Sequence, residues 1–374
     1  MPDTPVGLYV HVPFCSVKCF YCDFTAFAGQ GKAAKRYLAA MSLEAALMPR
    51  RDPKTLYVGG GTPSELTAPQ ILELFGRLKS AYPDSRFVET TFEANPESLT
   101  DAKIKALQAS GVNRVSLGLQ TAHDALLRGI GRRHDFAKFV EVYEKARRAG
   151  FCLSVDLMYG LPGQTLEMCV ESVEKIIALK PEHMSLYGLQ VEDRTLFAKR
   201  GVETDEDLGR AMFEACIERL SSAGFHHYEI SNFAQPGFES IHNQIYWRNG
   251  EYVGLGCGAA SYLDGVRSAN VERLIPYCDA LEQGRRPVEE AEALQDLSKL
   301  GEDVLLNLRL VDGFEPAEVV RGSFKPQWDK LKKKGLVEDD GRRVKLTREG
   351  VFLANEAFSE FVAPFSHEKE SAQE

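Results

Sequence analysis

Three cysteines crowd one short stretch, Cys15-Ser-Val-Lys-Cys19-Phe-Tyr-Cys22, directly after the β-rich run Tyr9-Val-His-Val-Pro13. A strand that ends in such a loop presents three thiols together. Three thiolates can hold three irons of a four-iron cluster and leave the fourth iron open to a chelator carrying an amino and a carboxylate group. A structural zinc ion with a fourth ligand such as His11 is the plainer reading of the same spacing, and the less favoured one. The other cysteines, Cys152, Cys169, Cys216, Cys257 and Cys278, are scattered singly, which is not the pattern of a secreted disulfide framework.

Further polar residues close other β-rich runs. Gly59-Gly60-Gly61-Thr62-Pro63 lacks the Lys-Ser/Thr of a phosphate loop, but its glycines let backbone approach the polar groups of a ligand. Glu93, Gln120 and Asp156 end three consecutive runs, as a site for ribose, amine and carboxylate would require; singly, each reads as a cap or loop hydrogen-bonder. Arg132 can bind a carboxylate bidentately or lie solvated on the surface. In His242-Asn243-Gln-Ile-Tyr246-Trp247, imidazole and phenolate are both haem-iron ligands and the indole offers a flat apolar face. The plainer alternative has Tyr246 and Trp247 packed in a core and His242 hydrogen-bonded locally.

These residues need a scaffold, and the sequence supplies one. Apolar runs at Leu8–Pro13, Thr55–Val58, Phe87–Ala94, Arg114–Gln120, Leu153–Met158, His183–Val191 and Tyr228–Phe233 alternate with helical patterns, several closed by glycines such as Gly111, Gly150 and Gly224. Repeated strand-then-helix units predict an α/β fold with a parallel sheet, a complete or partial β/α barrel with its functional residues at the strand C-terminal ends. After Pro236 the sequence turns Gly-rich and aromatic-rich, and a linker is expected to end near Glu290. Residues 291–365 read as helices followed by a β-hairpin, a small winged-helix-like module. The expected division is therefore 1–235, 236–290 and 291–365, with a disordered polar tail over 366–374.

The 374 residues are 44% apolar with a net charge of −9, which excludes a disordered or disulfide-scaffold chain and disfavours general nucleic-acid binding. No run approaches a membrane span and the start lacks a signal peptide, so the expected location is the cytoplasm. Between Lys325 and Arg348 nine basic residues face four acidic ones, mostly through Lys330–Lys334. That run suggests a solvated or protein-docking helix end, with weak contact to anionic lipid as a further role. Binding of a DNA groove by the wing-like module is the less favoured reading. Gly254-Leu-Gly256-Cys-Gly258 lacks the spacing of a dinucleotide fingerprint and reads as a close-packed turn, and His226-His227 lacks metal-partner spacing.

The C-x3-C-x2-C loop after an N-terminal strand, with Gly-Gly-Gly-Thr-Pro ending the second, resembles the radical S-adenosylmethionine (SAM) superfamily. Within it, the whole set is similar to the oxygen-independent coproporphyrinogen III oxidase group, which includes the HemW-type haem chaperones. The resemblance implies a partial (β/α)6-type barrel, a [4Fe–4S] cluster on Cys15, Cys19 and Cys22, and SAM contacts from Tyr9, Gly60, Gly61, Thr62, Glu93, Gln120, Arg132, Asp156 and Gln190. The oxidases usually carry a fourth cysteine two positions beyond the third, where this chain has Phe24, as the chaperone-like members do. The pattern H-N-x-x-Y-W, matched by His242, Asn243, Tyr246 and Trp247, is associated with haem binding in that branch. The resemblance thus implies a haem chaperone that serves respiratory haem proteins, with a cluster that helps assemble a homodimer or gates release. The rival it leaves open is an enzyme that cleaves SAM reductively and decarboxylates coproporphyrinogen III to protoporphyrinogen IX.

Overall fold

A computed structural model describes residues 5–365; the expected disordered tail and the first four residues lie outside the described residues. Twelve strands form one sheet: β1 (Val6–Val12), β2 (Pro53–Gly60), β3 (Glu89–Ala94), β4 (Arg114–Gln120), β5 (Cys152–Tyr159), β6 (His183–Gly188), β7 (His226–Glu229), β8 (Asn232–Ala234), β9 (Tyr252–Leu255), β10 (Ala260–Leu263), β11 (Val266–Asn270) and β12 (Val288–Ala293). Their spatial order is β12-β11-β10-β9-β1-β2-β3-β4-β5-β6-β8-β7, so the sheet stays open, a partial barrel. Strands β1 to β6 are parallel, as the strand-then-helix rhythm predicts.

The structure departs from the sequence reading at both ends of this set. β9 joins β1 in parallel on the side away from β2, a partner that the Gly-rich Tyr252–Gly258 segment does not announce. The run Tyr228–Phe233, expected as one strand, is split into the antiparallel pair β7 and β8. Residues 288–293, where a linker is expected to end, form β12 and pair with β11.

Helices α1 (Ala34–Leu47), α2 (Ala68–Ala81), α3 (Asp101–Ala109), α4 (Phe136–Arg148), α5 (Leu166–Leu179) and α6 (Glu206–Ser222) follow the parallel strands. Local chemistry sets several of their starts. Thr67 and Gln70 form a reciprocal capping box at α2, and Asp135, Thr165 and Asp205 accept from backbone amides at α4, α5 and α6. The strand faces that meet these helices are largely apolar, with Leu56, Val58, Phe92, Val115, Leu117, Val155 and Leu157 buried, and every residue of β4 is buried. Two short helices, α7 (Ile241–Trp247) and α8 (Leu274–Glu282), flank β9 to β11.

The C-terminal segment starts with α9 (Asp296–Asn307), then α10 (Glu318–Ser323) and α11 (Lys325–Lys333), a hairpin of Val337–Asp339 with Val344–Leu346, and two short helices. In the lysine run of α11, Lys330 pairs with Glu360, Lys334 with Glu356, and Lys332 with Asp329. These pairs neutralise most of its charge. No helix among the described residues is long and apolar enough to cross a membrane.

Candidate functional site

The cysteine loop leaves the C-terminal end of β1. Phe14 and Cys15 pair in parallel with Phe27 and Ala28, which folds the loop back on itself. Phe20, between the second and third thiols, donates its amide to Ile130 O at 3.1 Å and meets Phe197 edge-on. All three cysteines are free and half-buried. Burial pushes the Cys15 thiol up to about 11, with the thiolates of Cys22 and Cys19 adding to the shift. Burial likewise raises the Cys22 thiol, so a cationic centre beside the loop would favour the thiolate at both positions.

Three half-buried thiols on one loop are a donor set that an iron–sulfur cluster would accept, one thiolate to each of three irons. A mononuclear zinc site would need a fourth ligand beside them. His11, the candidate fourth zinc ligand, is turned elsewhere: Nε2 lies 2.8 Å from Thr25 O and Nδ1 2.9 Å from Tyr9 Oη.

The strand-end residues surround this loop. Gly60 sits at φ 111°, and a Cβ there would lie 2.5 Å from the His11 ring, so glycine is required. Its amide donates to Glu93 Oε2 at 3.1 Å, while Tyr57 Oη donates to Oε1 at 2.7 Å. Burial raises the Glu93 carboxyl to about 7. The amide of Gly61 donates to Val12 O at 3.0 Å, and Thr62 Oγ1 lies 3.3 Å from Cys15 Sγ, which ties the glycine edge to the loop.

On the next strands, Gln120 adopts φ 76°. A Cβ on Gly118 would meet Gln120 Nε2 at 3.0 Å and Asn95 Oδ1 at 3.2 Å and would collide with Arg132, so three polar side chains converge over that glycine. Arg132 reaches Cys19 Sγ at 3.7 Å and Gly118 O, with its Nε buried and unpartnered. Such an orphaned donor beside the thiols suits an anionic group of a ligand. Asp156 accepts from Ser116 Oγ at 3.0 Å and is raised to about 6 by burial. Gln190 stands apart: it is exposed, two residues beyond β6, and makes no hydrogen bond among the described residues.

The H-N-x-x-Y-W residues form α7, and its position is fixed by a residue that the sequence does not signal. The carboxylate of Glu89, at the start of β3, accepts from Ser240 Oγ at 3.2 Å, Ile241 N at 3.0 Å and His242 N at 3.0 Å. Arg114 lies 3.6 Å from its far oxygen. Ser240 in turn caps the helix by accepting from Asn243 N. His242 is 1% exposed. Its ring stacks on Tyr57, and its nitrogens lie 2.8 Å from Thr55 Oγ1 and 2.7 Å from Tyr246 Oη. Burial lowers its pKa to about 3, so the ring is neutral. Tyr9, His242, Asn243, Tyr246 and Trp247 line one cavity of about 420 Å³, and Phe24, 69% exposed, also lines it. Sequence reasoning missed Thr55, Tyr57 and Glu89, because their roles arise only from the pairing of β2 and β3 with α7.

Residues singled out elsewhere have local partners. His226 meets Glu239 and Asp312, and His227 stacks on Phe233. Gly254 faces the Ala260 carbonyl in the β9–β10 turn region, and Cys257 is buried.

Residues 9–176 match the Radical SAM superfamily. Fold and site thus define a radical SAM protein. Curated relatives extend the match: the heme chaperone HemW of Lactococcus lactis is 38% identical over 97% of this chain and 98% of its own, that of Bacillus subtilis 36% over 95% and 98%, and that of Escherichia coli 31% over 96% and 98%. The chain belongs to the HemW family. The coproporphyrinogen III oxidase HemN of Escherichia coli shares the fold, with a TM-score of 0.84 at 24% identity over 97% of this chain and 91% of that one.

Proposed function

We propose that this chain is a haem chaperone of the cytoplasm that carries a [4Fe–4S] cluster on Cys15, Cys19 and Cys22 and SAM at the strand edge. When bound, the cluster and SAM would supply a redox-active chelate; the chain's own residues orient it and exclude water. One observation carries the reading: the H-N-x-x-Y-W helix and Tyr9 of the cluster-bearing strand line a single cavity, with Phe24 among its walls. Its aromatic lining suits a flat apolar ligand. Haem is the expected cargo, respiratory haem proteins its acceptors, and a homodimer the expected assembly. Membrane contact through Lys330–Lys334 would be weak, because most of that charge is paired.

The rival, an oxygen-independent coproporphyrinogen III oxidase, is favoured by the presence of Tyr9, Glu93, Arg132 and Asp156 at the strand edge, from which only Gln190 of the expected strand-end residues stands apart. Cluster-reconstituted protein with SAM, a reductant and coproporphyrinogen III separates the two under anaerobic conditions. No protoporphyrinogen, together with a haem absorbance that weakens in His242→Ala, supports the chaperone. Protoporphyrinogen formed over many turnovers makes the chain an oxidase.

A further inference from the structure

The cavity beside the motif helix has a polar part that the motif does not use. Glu229, Ser231, Asn232 and Arg309 also line it. Arg309 lies two residues beyond α9, and its guanidinium stacks over the Trp247 ring at 4.2 Å from the centroid. Its Nε is buried without a partner, and no carboxylate among the described residues forms an ion pair with it. Glu229 is the acid whose charge it feels, yet the two do not close on each other.

Three further atoms of these lining residues are equally unsatisfied: Trp247 Nε1, Glu229 Oε2 and Asn232 Oδ1. Glu229 is 1% exposed and Asn232 4%. Buried polar atoms are nearly always paired, so four orphans around one cavity indicate that an occupant completes them. Two of the four are N–H donors, one on a guanidinium whose face is already covered by an indole and whose edge is free. The group that best satisfies such an edge is a carboxylate. Burial raises the Glu229 carboxyl above its usual range, which lessens its opposition to an arriving carboxylate. The other lining residues include Tyr9, Phe24, Tyr57, Tyr187 and Trp247, so the carboxylate must belong to a largely flat, apolar molecule.

We propose that Arg309, braced on Trp247, is the carboxylate subsite of this cavity and that it takes a propionate of the tetrapyrrole. The assignment rests on the haem-binding reading above and adds to it the residue that fixes the ligand's polar edge.

The test titrates the full chain with haem and with coproporphyrin III, each as free acid and as methyl ester, by visible absorbance and by quenching of tryptophan emission. Wild type should bind haem about tenfold more tightly than its dimethyl ester, the size expected for one charge-assisted contact. Arg309→Met should erase that difference while leaving ester binding unchanged, and Arg309→Lys should fall between. Melting curves confirm that both variants fold, and the acid–ester comparison in wild type needs no variant. Equal binding of acid and ester by wild type, or equal weakening of both in Arg309→Met, overturns the subsite while the haem reading stands. If haem does not bind but coproporphyrin III prefers its acid form in an Arg309-dependent way, the haem reading falls and the subsite stands. If neither tetrapyrrole binds, both fall.

Discussion

His242 Nε2 lies 2.7 Å from the Tyr246 hydroxyl, and its other nitrogen is taken by Thr55. In this arrangement the imidazole of the haem motif has no free lone pair for iron. Binding through His242 must break one of two short hydrogen bonds, and the tyrosine is the partner on the same helix.

Removing that partner should therefore favour imidazole ligation. Tyr246→Phe is expected to bind haem at least as tightly as wild type, whereas His242→Ala should bind about tenfold more weakly, a loss in the range of one buried polar contact. Haem titration by absorbance checks both. The reverse order would make the phenol the ligand.

Glu89 gathers three donors at the start of α7 and faces Arg114. Glu89→Ala leaves those donors and a buried guanidinium uncompensated, and should cost about 3 kcal/mol in denaturant unfolding. Glu89→Gln, which keeps one acceptor, should cost less. Haem binding should fall with the helix in both.

Glu44 on α1 is buried, feels the charge of Arg286 only weakly, and accepts from Tyr277 Oη, Asn270 Nδ2 and Gly256 N. Burial raises it from 4.5 to about 7. A carboxyl whose folded value is raised stabilises the protein below its unfolded value and loses that contribution as pH climbs through the folded one. Other buried groups titrate in the same range, so the Glu44 contribution, up to ~3 kcal/mol, is read as a difference: the stability of the cluster-free wild type relative to Glu44→Gln should decline from pH 5 to pH 8. A difference that stays constant over this interval would contradict the assignment.

Gly60→Ala places a methyl group 2.5 Å from the His11 ring at a φ that only glycine adopts easily. The expected cost is about 2–4 kcal/mol of stability, with loss of the Gly60–Glu93 hydrogen bond. Isothermal titration with SAM should show binding weakened beyond detection.

Much of the scaffold was legible because each of β1 to β6 is an apolar run that stops at a polar or glycine-rich residue, and the following helix announces itself by cap and period. Glu93, Gln120 and Asp156 stood out as polar residues closing such runs. Strand β9 was not legible: Tyr252-Val-Gly-Leu is short, and only the vacancy beside β1 makes it a strand. β12, Val-Glu-Glu-Ala-Glu-Ala, is exposed over most of its length, so no burial pattern marks it. Glu89 and Arg309 could not be assigned from sequence, because neither lies in a motif. Each acquires its role from a residue more than 60 positions away, Glu89 from Ser240 and Arg309 from Trp247.

The strand that carries the cysteine loop lies inside the sheet, between β2 and β9. During synthesis its first neighbour emerges early, but its second is made only after some 190 further residues. Until then one edge of β1 has unpaired amides and carbonyls, and Gly256, which closes against His11, is missing. The nascent thiol loop therefore stays open to solvent and to other thiols for most of translation, so any metal centre held there would have to be assembled after β9 has been made.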